Sequence, residues 1–121
     1  MIAVSLGELV DKITILEIKQ RMLTNPQARA NVNRELVLLT ETFAQQSVTA
    51  EILNLKDNLA TVNLDLWHIE NFKRTCEAQG TFESDFVSAA RQVYIKNDLR
   101  ARIKKEINLK GHSLIVEEKS Y

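Results

Sequence analysis

Residues that break regular structure are nearly missing from this chain of 121 residues, which has one proline, Pro26, and three glycines, Gly7, Gly80 and Gly111. Turns and hairpins draw on those two types, so long uninterrupted helices are the economical reading. A single cysteine, Cys76, excludes an internal disulfide, and a cysteine-built metal site would need more ligands. Net charge is missing too, because sixteen basic residues balance sixteen acidic ones. That balance argues against a chain dedicated to coating nucleic acid or an anionic membrane surface. No apolar run approaches membrane-spanning length, and the opening Met-Ile-Ala-Val-Ser lacks the basic-then-apolar pattern of a secretory signal. The expectation is a cytoplasmic protein, one helical domain over residues 1–121, with no membrane span and no nucleic-acid partner.

What is present reads as helix. Ser5 followed by Glu8 fits a capping box that opens a helix running to about Leu23. At about 100° per residue, Leu6, Leu9, Val10, Ile13 and Leu16 share one stripe while Ile15, Ile18 and Met22 lie nearly opposite. A helix apolar on two sides in so short a chain is central, or lies at a contact between chains. Glu8, Asp11, Lys12 and Lys19 fall on the second side, so some of these charges have to be paired or given to a ligand.

Asn25 with Pro26 starts a second helix, one-sided through Val32, Leu36, Leu39 and Phe43. After a polar break, Thr49 caps a long third helix to about Gln79. Its seam, Ile52, Leu55, Leu59, Val62, Leu66 and Ile69, alternates steps of three and four, and Gly80 ends it as a left-handed cap. A last helical region spans about Phe82 to Leu109. Its apolar face moves from Phe86, Ala90 and Val93 to Leu99, Ile103 and Ile107, which implies either a kink or restart near 96–98, capped by Asn97 or Asp98, or a continuous helix meeting different neighbours. The fold class is all-α, an antiparallel bundle of four main helices. Leu114, Ile115 and Val116 form a short extended tail that lies over the bundle or pairs with a second copy.

Catalytic signatures are absent. No Glu-x-x-His pair supports a bundle metal site, no glycine-rich loop cradles phosphate, and Cys76 sits on an apolar seam. Neither a cofactor nor a metal is expected. Two groups of residues remain. The stretch from Arg91 to Lys110 carries seven basic residues, suited to an anion or simply to the helix dipole, with Glu117 and Glu118 available to neutralise them. Trp67, Glu70 and Arg74 share one helix face; Glu70 with Arg74 is most simply an intrahelical ion pair, and the alternative is the wall of a ligand pocket.

Four strings, SLGELVDKITILEIK, LWHIENFKR, VYIKNDLRARIKKEIN and IVEEKSY, together resemble a small bacterial domain family of unknown function that spans nearly the whole chain. The resemblance implies genes for glycosyltransferases or repeat proteins of surface-polysaccharide synthesis as frequent companions, and no assigned activity. It marks Asp11, Lys12, Glu17, Lys19, Trp67, Glu70, Arg74, Asn97, Asp98, Arg100, Lys104, Glu118, Lys119 and Tyr121 as motif positions. Where the family pattern carries an acid after the glutamate, this chain has Asn71. These positions come from distant parts of the sequence, and a compact bundle would gather them into one polar cluster, a locking network or a site.

Two functions follow as expectations. The first is a non-catalytic interaction module, self-associating as a homodimer and accessory to a glycosyltransferase or repeat protein of bacterial polysaccharide biosynthesis. The second is a small enzyme or binder of an anionic ligand such as a nucleotide sugar or sugar phosphate, held by Arg100, Lys104, Lys12 and a carboxylate from Asp11 or Asp98. A closed, fully paired cluster would count against the second.

Overall fold

The computed structural model describes residues 5–111, which form four helices: α1 (Leu6–Met22), α2 (Pro26–Ala44), α3 (Ala50–Gln79) and α4 (Ser84–Lys110). Local chemistry sets most of their ends. The Ser5 side chain accepts from the Glu8 amide, Asn25 from that of Ala28 ahead of the helix that opens on Pro26, and Thr49 from that of Ile52. Gly80 closes α3 at φ 68°, a conformation that costs other residues a Cβ clash. The Glu8 carboxylate, expected to complete the capping box, is directed instead at Lys104 of α4. At the other end of α1, the Arg29 guanidinium of α2 donates to the carbonyls of Gln20 and Leu23, groups that the helix itself leaves without partners.

Helices α3 and α4 form a long antiparallel hairpin, registered by Glu51 with Lys110 and Asp65 with Lys96. Across it lies α1, which packs on α2, α3 and α4; α2 runs antiparallel to α1 and makes no comparable contact with the hairpin. The doubly apolar pattern of α1 is thereby explained. Leu6, Leu9, Val10 and Ile13 enter a core with Ile52, Leu59, Val62, Ile103 and Ile107, against which Leu36, Leu39 and Phe43 of α2 pack. Ile18 is also buried, whereas Met22 at the helix end is exposed.

No restart occurs near residues 96–98: α4 is one uninterrupted helix, and Asn97 and Asp98 are exposed rather than capping. Its apolar face moves because its neighbours change. The first half meets α3, while the second half also meets α1, through Arg100 on Asp11, Lys104 on Glu8 and Asn108 on Gly7. The expected extended tail lies outside the described residues. Among the described residues, no helix is long and apolar enough to cross a membrane.

At Gly7 the backbones of α1 and α4 approach closely. The Gly7 amide donates to Asn108 Oδ1 at 2.7 Å, and an added Cβ would lie 2.5 Å from the Lys104 carbonyl oxygen. Gly7→Ala is therefore expected to cost about 1–3 kcal/mol through overpacking against backbone. Gly80→Ala, where φ is unfavourable but the space is open, costs about 1 kcal/mol. Urea unfolding of both variants checks this ranking, and an undiminished midpoint for Gly7→Ala would contradict the close approach.

Candidate functional site

The second turn of α1 places a carboxylate between Val10 and Ile13, which are core. Asp11 is 3% exposed, and a charge in such a place costs several kcal/mol unless it is matched. Its match comes from two other helices. Arg100 of α4 grips it with both prongs, Nε donating to Oδ1 at 2.9 Å and Nη2 to Oδ2 at 2.5 Å. Asn63 of α3 donates through Nδ2 to Asp11 Oδ1 and to Thr14 Oγ1, each at 2.9 Å. The Thr14 hydroxyl in turn donates to the Asp11 carbonyl at 2.8 Å, which leaves its proton and an acceptor position both in use. Lys104 stands between two acids, 2.7 Å from Glu8 Oε1 and 3.7 Å from Asp11 Oδ2. Among the described residues no buried side-chain nitrogen or oxygen lacks a partner.

Burial pushes the Asp11 carboxyl upward. The hydrogen bonds from Arg100 and Asn63, together with the charges of Arg100 and Lys104, outweigh that and hold it below the ordinary aspartate value. The hydrogen bond to Asp11 likewise raises the Arg100 guanidinium. Neither group is therefore poised to exchange a proton near neutrality. Glu8 and Asp11 are both committed to cationic side chains, and no group of three or more metal-ligating residues occurs among the described residues.

Two open clefts flank this cluster and share Ile15 and Arg100. The smaller, about 200 Å³, has Ile18 and Leu66 at its floor, Trp67 as a wall and Glu70 and Arg74 at its rim. The larger, about 630 Å³, lies between α1 and α2, with Leu16 and Leu39 below and Lys12, Lys19 and Glu35 above. Asp11, Arg100 and Lys104 thus meet directly, and Lys12, Lys19, Trp67, Glu70 and Arg74 line the adjoining clefts. Glu17 is not part of this assembly, since it points elsewhere and pairs with Lys56 at 3.5 Å. Asn97 and Asp98 are exposed on α4, and neither side chain makes a hydrogen bond or ion pair among the described residues. Glu118, Lys119 and Tyr121 lie outside the described residues. Glu70 pairs with Lys73 at 3.3 Å, not with Arg74 as expected, because the three-residue step also places the two on one face.

Asn63 and Thr14 belong to the cluster although neither is a motif position. Asn63 does carry a signal: it stands beside Val62, four residues after Leu59 and three before Leu66, a polar residue bordering an apolar seam. Thr14 follows Asp11 by one helical turn.

The titration of Asp11 has a signed consequence. A folded-state pKa below the unfolded value of about 3.9 means that its contribution is present above that value and is lost as pH falls through the folded one. Asp11→Asn is expected to be less stable at pH 7 by about 3 kcal/mol, the low end for a broken buried pair because the partly exposed Arg100 can rehydrate. The variant should also lack this part of the acid-induced loss. Thermal unfolding of both proteins between pH 2 and pH 7 checks it; parallel pH profiles would contradict the assignment.

No curated protein and no solved structure matches the chain. One family model does, over residues 1–121. Its span takes in all four of the blocks quoted above, and the chain belongs to this family of unknown function, DUF6165.

Proposed function

We propose that the protein is a non-catalytic helical interaction module that forms a homodimer and serves a glycosyltransferase or repeat protein of bacterial envelope-glycan synthesis. The observation that carries this reading is the outer face of α2. Val37 and Leu38 are 56% and 64% exposed there, on a surface they share with Ala30, Asn33 and Arg34. Apolar residues gathered on a helix face that its own bundle leaves uncovered mark a contact surface. A second copy is the occupant favoured by charge and symmetry. Arg34 and Glu41 stand at equal distances along α2 on either side of Val37 and Leu38 and share their face. A two-fold axis between Val37 and Leu38 would therefore set Arg34 of each copy against the acidic position of the other. One helix face is small for a stable dimer, so affinity on the order of micromolar is expected.

The state of the polar cluster supports the non-catalytic half of the reading. Arg100, Lys104 and Lys12, the cations that would grip an anionic sugar, are each engaged by a carboxylate of the chain itself. The accessory role rests on the company that the resemblance implies. Light scattering across a concentration series is expected to give a dimer for the full chain and a folded monomer for Leu38→Glu, and that variant should lower surface polysaccharide in the source bacterium. A monomer at every concentration would overturn the proposal, as would polysaccharide unchanged by a variant that is monomeric.

A further inference from the structure

The smaller cleft is bordered by polar groups that the bundle's own bonding leaves partly unused. Asn63 Nδ2 donates to Asp11 Oδ1 and to Thr14 Oγ1, yet the Oδ1 of Asn63 accepts from no described residue. The residue is only 5% exposed. Since no fully enclosed side-chain atom among the described residues lacks a partner, this oxygen opens onto the cleft that Asn63 lines. Arg100 is in the same condition, for Nε and Nη2 grip Asp11 while Nη1 donates to no described residue. The two side chains meet on one oxygen of Asp11, so an unused acceptor and an unused donor stand near each other at the inner end of the cleft. A hydroxyl, which donates and accepts at once, satisfies both.

The outer end asks for a different group. Arg74 is exposed and makes no ion pair among the described residues, because Glu70, one turn before it, pairs with Lys73. Its complement is an anion. Between the two ends lie the apolar floor of Ile15, Ile18 and Leu66 and the aromatic wall of Trp67. Asn63 and Arg74 are separated by about three turns of α3, about 16 Å along the axis, and an arginine leaning back toward the helix N-terminus shortens that gap. The volume of about 200 Å³ suits one six-membered ring, since an apolar cavity of about 150 Å³ takes benzene. A sugar ring would press several hydroxyls against a floor that has a single donor–acceptor pair to meet them, and each unmet hydroxyl is costly. A phenol brings only one.

We propose that the smaller cleft binds a small phenolic carboxylate, its hydroxyl between Asn63 Oδ1 and Arg100 Nη1, its ring against Trp67 and its carboxylate at Arg74. The site lies apart from the α2 face assigned above to a second copy, so either can fail without the other.

Trp67 is the only tryptophan of the chain, so its fluorescence reports on the cleft directly. Titration of the full chain with 4-hydroxybenzoate is expected to give a saturable change in emission, with a dissociation constant on the order of 1 mM or tighter. Benzoate and phenol, each lacking one polar end, are expected to bind about tenfold more weakly. Arg74→Gln is expected to weaken 4-hydroxybenzoate about tenfold and to leave phenol unchanged. The fold should tolerate that variant, because the Arg74 side chain makes no hydrogen bond or ion pair among the described residues; the ligand series on the unaltered chain tests the site without it. No saturable change with 4-hydroxybenzoate would overturn the site. Equal binding of benzoate would overturn the inner hydroxyl position, and full affinity in Arg74→Gln the outer anion position. Tighter binding of glucuronate would overturn the aromatic ring, and tighter binding of an acetylated Tyr-Glu peptide would overturn a free small molecule in favour of a partner's tyrosine.

Discussion

A carboxylate in the buried flank of α1 constrains everything around it. The hydrophobic core, from Leu6 to Ile107, supplies the drive to collapse, but apolar contacts are not directional and would tolerate several rotations of α1 on the α3–α4 hairpin. Asp11 removes that freedom, because only an arrangement that delivers donors to both of its oxygens avoids the cost of an unmatched buried charge. Arg100 and Asn63 meet that need from different helices, so one side chain sets the position of three elements. The net gain over an apolar residue of similar size is small, since desolvating the pair opposes the attraction; the effect is selection of one packing among several. Around it, the pairs Lys12–Glu35, Glu51–Lys110 and Asp65–Lys96 are substantially exposed and add little each, though all agree with the same register.

Placing the central helix first in the chain shapes the surface as well. With only 17 residues, α1 covers part of the hairpin formed by the 30-residue α3 and the 27-residue α4. Helix α2 reaches the rest of the bundle mainly through α1, so its far face is left to solvent or to a partner, and its near edge leaves a groove. The contact proposed on the outer face of α2 is thus a consequence of this topology. The polar cluster is paired within the bundle, and the apolar faces left uncovered lie elsewhere on its surface.

Signals confined to a few neighbouring residues are legible in the sequence itself. Ser5, Asn25 with Pro26, Thr49 and Gly80 mark helix ends because capping and left-handed termination depend on a residue and its neighbours alone. The two apolar sides of α1 indicate a central helix, and the out-of-place Asp11 indicates a buried partner. Which partner is not legible there, since the answer lies 52 and 89 positions away, at Asn63 and Arg100. Local geometry is ambiguous where two spacings serve equally, as when Glu70 pairs with Lys73 and leaves Arg74 aside. The moving face of α4 admits two explanations, and the decisive fact, that α1 joins it from Arg100 onward, is tertiary. Glu17, Asn97 and Asp98 show the limit of motif membership, for a shared block does not place every charged residue in one cluster.

The coupling between Asp11 and Arg100 decides whether a buried ion pair selects the helix packing. A double-mutant cycle by urea unfolding at pH 7, comparing Asp11→Ala, Arg100→Ala and the double variant, measures that coupling free of each residue's other contacts. The structure predicts about 2 kcal/mol or more, with the double variant scarcely less stable than the worse single one. Additive losses, with a coupling within about 0.5 kcal/mol of zero, would contradict the idea that this pair sets how the helices assemble.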